Sequence, residues 1–146
     1  MGLPSLNIVF QQLGTTAIKR GDKGIIGYVL PPKKVIVVVV PKPETGDTVY
    51  TDAQTYLETI KWDYIAVPDI ADTSVLTFST WIKSLRDTKH KPVKAVLPHC
   101  LADHEGIINF DTDNIIVGTN TYTAKQYCAR IAGLIAGTPL VISATY

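Results

Sequence analysis

The chain has 146 residues, 46% of them apolar and 18% charged, with a formal net charge of +1. That length fits one domain with a substantial core, and that composition excludes disorder. No apolar run approaches the ~20 residues of a membrane helix, and the longest basic block is Lys89-His90-Lys91, so neither membrane insertion nor nucleic-acid binding is expected. Cys100 and Cys128 are the only cysteines and the first basic residue is Lys19. Two free thiols, no secretory leader and an intracellular origin are the corresponding expectations.

In chain order, Pro4 introduces an extended segment in which Leu6, Ile8 and Phe10 alternate with Asn7, Val9 and Gln11. By pattern alone this is an ordinary edge strand or a strand lent to a neighbouring molecule. A second apolar run, Gly24 to Leu30, follows the polar turn Arg20-Gly21-Asp22-Lys23. That turn is ordinary Gly-Asp chemistry rather than an adhesion signal. Lys33 to Val40 reads KKVIVVVV, an unbroken β-branched run between Pro32 and Pro41. Such a run predicts a strand covered on both faces in the middle of a parallel sheet.

After a loop from Pro41 to Asp47, residues Ala53, Tyr56, Leu57 and Ile60 share one helical face, with Thr51 or Asp52 placed to cap it. Tyr64 to Val67 predicts a short buried strand. Val75, Phe78, Ile82 and Leu85 define the next helix, capped by Asp72 or Thr73 and ending among the cations Lys83, Arg86 and Lys89. Val93 to Leu97 is the following strand. Ile115 to Val117 and Thr121 to Thr123 flank Gly118-Thr119-Asn120 as a small hairpin. Ala124, Tyr127, Cys128, Ile131, Leu134 and Ile135 then form a last helical face, with Thr123 as cap and Gly137 with Pro139 as stop. Leu140 to Ile142 starts another strand close to the end. The fold class expected is α/β: a mainly parallel sheet with flanking helices, a small hairpin and an extended N-terminal arm. The boundaries expected are an arm and linking segment over 1–30 and an α/β domain over 31–146, read as a fragment truncated at the C-terminus.

In open α/β sheets chemistry collects at the carboxyl ends of strands. Those ends carry Asp69, His99 and Ser143, whose order allows an acyl-transfer triad. Ser143 nevertheless sits in VISATY without a glycine turn to expose its hydroxyl, and no oxyanion site is marked. His99, Cys100, Asp103 and His104 supply four potential ligands within six residues. Zinc sites usually draw on paired, separated knuckles, and a second pair is absent, so no metal site is assigned. Phosphate-cradling and dinucleotide motifs are missing, and no cofactor is expected. Gly133 and Gly137 form a GxxxG whose sober reading is close packing at the first and a C-cap at the second.

His104-Glu105-Gly106-Ile107-Ile108-Asn109-Phe110 resembles a stretch of the sheath proteins of contractile phage tails. These are the proteins of clostridial and bacillar phages, defective prophages and phage-tail-like bacteriocins. GLPSLNIVF followed by TAIKRGDKGIIGYVL, then VKAVLPH, and ARIAGLIAGTPL near the end are similar to the same pattern. The resemblance implies a sheath domain that is subtilisin-like in fold but not in activity. It further implies a non-enzymatic structural subunit that stacks in rings around an inner tail tube and contracts to drive that tube through a target envelope. The partners implied are other copies of the chain, the tail tube protein, and baseplate and tail terminator proteins. The location implied is the tail of a virion or phage-tail-like particle assembled in the bacterial cytoplasm. With the family in view, Leu3, Leu6, Ile8 and Phe10 become the side chains of an intersubunit arm. Two departures stand out. Such proteins are considerably longer, and the abrupt Leu30-Pro31-Pro32 junction reads as a join across absent residues. The alternative from another class is an α/β hydrolase using Asp69, His99 and Ser143.

Overall fold

In chain order the elements are β1 (Leu6–Gln11), β2 (Val35–Val40), α1 (Thr51–Thr59), β3 (Tyr64–Ala66), α2 (Asp72–Asp87) and β4 (Lys94–Pro98). They are followed by β5 (Ile107–Phe110), β6 (Ile115–Val117), β7 (Asn120–Tyr122) and α3 (Ala124–Gly137). This computed structural model describes residues 6–11, 34–41 and 43–138, with β1 described in its backbone alone. Gly24 to Leu30, the Leu30-Pro31 junction, Leu140 to Ile142 and the domain boundary expected at 30/31 lie outside the described residues.

Five strands form one parallel sheet in the order β2-β1-β3-β4-β5, and β6 pairs with β7 in a separate antiparallel hairpin. Side chains alternate across a strand, and helices cover both faces of this sheet. Ile65, Ala95 and Leu97 face α1 and α2, where they meet Leu57, Phe78, Ile82 and Leu85. Ala66 and Val96 face the other way, onto Cys128, Ala129, Ala132 and Ala136 of α3. The result is three layers.

The two helical layers are built from different side chains. Beneath α1 and α2 the filling is aromatic: Trp62 stacks on Trp81 at 6.1 Å, and Phe78 meets Trp81 at 5.1 Å and Tyr50 at 5.9 Å. Buried indoles need partners for their N–H groups. Trp62 donates to the Leu57 carbonyl at 2.9 Å and Trp81 to the Glu58 carboxylate at 2.9 Å. On the opposite face α3 presents alanines, Cys128 and Gly133, so its backbone rides close to the sheet. Leu134, expected on the buried face, is 46% exposed, because the small residues and not the large ones define that face. Gly133 is buried as close packing predicts. Gly137 is the last residue of α3, and the C-cap is Thr138 in an extended conformation.

Three expectations about local structure need correction. Among the described strands the Val-rich β2 stands at one edge of the sheet and not at its centre, and Val37 and Val39 are 46% and 59% exposed. A continuous β-branched run reports β-propensity as much as burial on both faces, and here Val38 and Val40 alone of the four reach the aromatic core. By pattern alone Leu6–Gln11 was expected as an edge strand or a strand lent to a neighbour. Its backbone instead lies between β2 and β3, with Leu6, Asn7 and Ile8 registered against Tyr64, Ile65 and Ala66 on one side and the whole strand against β2 on the other. Within this single chain Leu6, Ile8 and Phe10 lie on a strand of the sheet, and Leu3 lies outside the described residues. Period-two alternation identifies a strand but not the sheet it joins.

The third correction concerns caps. Tyr50 and Ala71 hold the N-cap positions of α1 and α2 without a side-chain bond, which displaces the expected Thr51, Asp52, Asp72 and Thr73. Asp72 is drawn to Lys125 at 3.0 Å and Thr73 to Asp47 at 2.8 Å. Thr123 behaves as expected: it caps α3 in a reciprocal box with Gln126. The hairpin forms with Gly118 at φ +62 in its turn, while Asn120, expected in the turn, opens β7. Strand β5 was not anticipated.

Candidate functional site

The carboxyl ends of β3 and β4 each finish in a residue with positive φ, Asp69 at 57° and His99 at 48°. A non-glycine residue in that region is uncommon, and its backbone direction is held by what surrounds it. For His99 the holding is visible. Its N–H donates to the Phe110 carbonyl at 3.2 Å, and the next N–H, of buried Cys100, donates to the Asn109 side chain at 2.8 Å. The loop leaving β4 is thus pinned to the end of β5.

The imidazole of His99 sits between two carboxylates. Its Nδ1 is 2.5 Å from Asp111 and its Nε2 is 3.0 Å from Asp113. The hydrogen bond to Asp111, and then the charges of Asp113 and Asp111, hold the His99 pKa above its ordinary value against a smaller opposing effect of burial. Asp113 also accepts the Ala124 N–H at 2.7 Å, at the first turn of α3, where a negative charge suits the helix dipole.

The HEG triplet forms a second constellation, at the other end of β5. Gly106 donates its N–H to His104 Nδ1 at 3.0 Å, which leaves the ring proton on Nε2, 3.3 Å from Asp87. Glu105 pairs with Arg86, whose guanidinium also donates to the Val93 carbonyl at 2.9 Å. That pairing holds the Glu105 carboxyl below the usual range. Gly106 is buried, and a Cβ there would stand 2.3 Å from Arg86 Cδ. His104, Glu105 and Gly106 together latch the start of β5 onto the last turn of α2.

The four candidate ligands are therefore separated. His99 goes to Asp111 and Asp113, His104 goes to Asp87 and Gly106, Cys100 is buried and Asp103 is exposed. Among the described residues no group of three or more His, Cys, Asp or Glu side chains is arranged to hold a metal ion. His99 and Asp69 do not form a pair in the hydrogen-bond network, and Ser143 lies outside the described residues. Both ring nitrogens of His99 face carboxylates, so neither is directed at a nucleophile. Sequence reasoning found His99 but missed Asp111, Asp113 and Arg86. The available signal was the Asp-Thr-Asp spacing directly after IINF, two acids able to approach one ring from a loop.

The fold is a three-layer α/β domain in which Arg86, His99, His104 and Glu105 fasten its own loops. Residues 42–146 match the family model described as the phage tail sheath protein central domain, and the chain belongs to the phage tail sheath protein family. It is 29% identical, over 187 residues, to the tail sheath protein of Clostridium phage phiCD119, covering 99% of this chain and 51% of that protein. The chain thus spans about half the length of that curated relative. The matched span is longer than this chain, so the relative carries residues within it that have no counterpart here. Solved structures are similar as well, two sheath tail proteins among them. The sheath tail protein from Desulfitobacterium hafniense is 31% identical with a TM-score of 0.57, over 63% of this chain and 23% of that one. The sheath tail protein from Listeria innocua is 27% identical with a TM-score of 0.58, over 64% of this chain and 22% of that one.

Proposed function

We propose that this chain is the central α/β part of a contractile tail sheath subunit, which polymerises around an inner tail tube and contracts to drive the tube through a target cell envelope. The observation that carries the reading is the match of residues 42–146 to the sheath central domain, on a fold shared with two sheath structures. The side-chain network agrees with it. Arg86, His99, His104 and Glu105 are engaged in ion pairs that fasten loops to neighbouring elements.

On this reading the protein is not an enzyme, and mechanical work comes from the rearrangement of contacts among many copies. Its partners are other copies of itself, the tail tube protein, and the baseplate and tail terminator proteins. Its place is the tail of a virion or of a phage-tail-like particle, bacteriocins included, assembled in the host cytoplasm. Among the described residues no helix is long and apolar enough to cross a membrane. Contacts between copies run through the outer edge of β2, which has no strand partner among the described residues and exposes Val37 and Val39.

The test is production of the whole subunit that contains this chain, followed by negative-stain electron microscopy. Striated tubes or stacked rings support the reading. A subunit that stays monomeric at every concentration tested, with its fold intact, contradicts it.

A further inference from the structure

We propose that His99 is a protonation-dependent clasp, which holds the β6–β7 hairpin and the first turn of α3 against the carboxyl end of β4 while its ring carries both protons, and lets them go when one is lost. The inference begins with hydrogen-bond inventory. An ionised carboxylate only accepts, and a neutral imidazole has a single N–H. Both ring nitrogens of His99 face carboxylate oxygens, Asp111 at 2.5 Å and Asp113 at 3.0 Å. The doubly protonated ring satisfies both. A neutral ring satisfies one and turns a lone pair toward the other.

What the clasp holds is set by where the two aspartates sit. They flank Thr112 on the single strand of chain between β5 and the hairpin. Asp113 passes the connection on, since its second oxygen accepts the Ala124 N–H. The hairpin is a sheet of its own, hydrogen-bonded between β6 and β7 and not to the five-stranded sheet. Ile116 on it is 74% exposed. Tyr122 of the hairpin also meets the Tyr127 ring of α3 at 6.1 Å, and α3 is itself joined to the clasp through Asp113. His99 thereby governs how firmly an exposed apolar projection is presented.

The charges around the ring favour the closed form. From the β5–β6 segment come Asp111 and Asp113. Among the cations of α3, Lys125 is paired with Asp72 of α2, and Arg130 lies over the Tyr127 ring at 5.6 Å. Among the described loop residues, Asp69 after β3 and Asp103 and Glu105 after β4 are acidic, Glu105 being paired with Arg86 and His104 with Asp87. The carboxylates raise the His99 pKa, so the closed form persists to higher pH than an ordinary histidine would allow and opens on the alkaline side.

The test combines an NMR titration of the His99 ring with hydrogen–deuterium exchange of residues 111–123, corrected for intrinsic exchange, across pH 5 to 10. In the native chain His99 should titrate above the ordinary ~6.5, and protection of 111–123 should fall as pH passes through the measured midpoint. In His99→Gln protection should be low throughout and without that step. In Asp111→Asn the His99 midpoint and the exchange step should move together to lower pH. A midpoint at or below the ordinary value overturns the proposal. So does an exchange step that persists unchanged in His99→Gln, or one that stays in place in Asp111→Asn while the ring midpoint moves.

Discussion

Replacing Gly106 by alanine adds one carbon at the tightest place in the latch between β5 and α2. The new Cβ would stand 2.3 Å from Arg86 Cδ, 3.1 Å from His104 Nδ1 and 3.2 Å from Arg86 Nε. Real Cβ contacts do not reach the first of these distances, so something must shift. Arg86 has little room to retreat, because one end of its guanidinium donates to Val93 and the other pairs with Glu105. Nor can Gly106 move freely, since its carbonyl accepts the Ala95 N–H at 2.8 Å and its own N–H is committed to His104. Overpacking of this kind costs about 1–3 kcal/mol. In a chain of this size that lowers Tm by roughly 2–4 °C per kcal/mol. Urea and thermal melts of native protein, Gly106→Ala, Arg86→Ala and the double variant form a cycle that isolates the clash. Gly106→Ala should be clearly destabilising alone and nearly neutral in the Arg86→Ala background. An unchanged midpoint for Gly106→Ala, or an equal cost in both backgrounds, would refute the reasoning.

Other outcomes follow from the same contacts. Deleting residues 1–12 removes β1 from between β2 and β3, so the variant should lose cooperative unfolding by circular dichroism; a folded deletion variant melting like the parent would return Leu6, Ile8 and Phe10 to the role of a lent arm. Val39→Lys places a charge on the open edge of β2 at a position 59% exposed. It should change stability by less than about 0.5 kcal/mol yet suppress tube formation by the whole subunit, and tubes of normal length on electron-microscope grids would contradict that. Glu58 is held below its usual pKa first by Lys89 and then by Trp81, and Glu105 by Arg86. Because both carboxyls are depressed in the folded state, their contribution is present above the unfolded values and is lost as pH falls through the folded ones. Melts between pH 7 and 2.5 should therefore show an acid limb that Glu58→Gln makes shallower. An identical limb in that variant would remove Glu58 from the account.

Much of the fold was legible because its signals are local. Leu57 of α1 and Phe78, Ile82 and Leu85 of α2 fall on helical faces and are buried, and Thr123 announced α3 as its cap. Strand β5 was hidden because Ile107–Phe110 is short and is introduced by a triplet whose role is tertiary. Glu105 and Gly106 make sense only once Arg86 of α2 is beside them. Strand order was not legible at all. Six β-branched residues in β2 mark a strand, but whether it ends up central or outermost depends on where β1 pairs, which alternation does not encode. The cap of α2 failed for a related reason, since Asp72 and Thr73 are bound by Lys125 and Asp47, partners distant in sequence. The site followed the same rule. His99 was visible from its place at a strand end, and its two aspartates became visible only with β5 in position.

The central claim is that this chain is part of a tail sheath, and immuno-electron microscopy of particles released from the producing bacterium tests it most directly. Antibody raised against residues 34–138 should decorate tails along their whole length at a regular spacing. Tails that remain bare while the antibody labels free protein, or label confined to another part of the particle, would contradict the account.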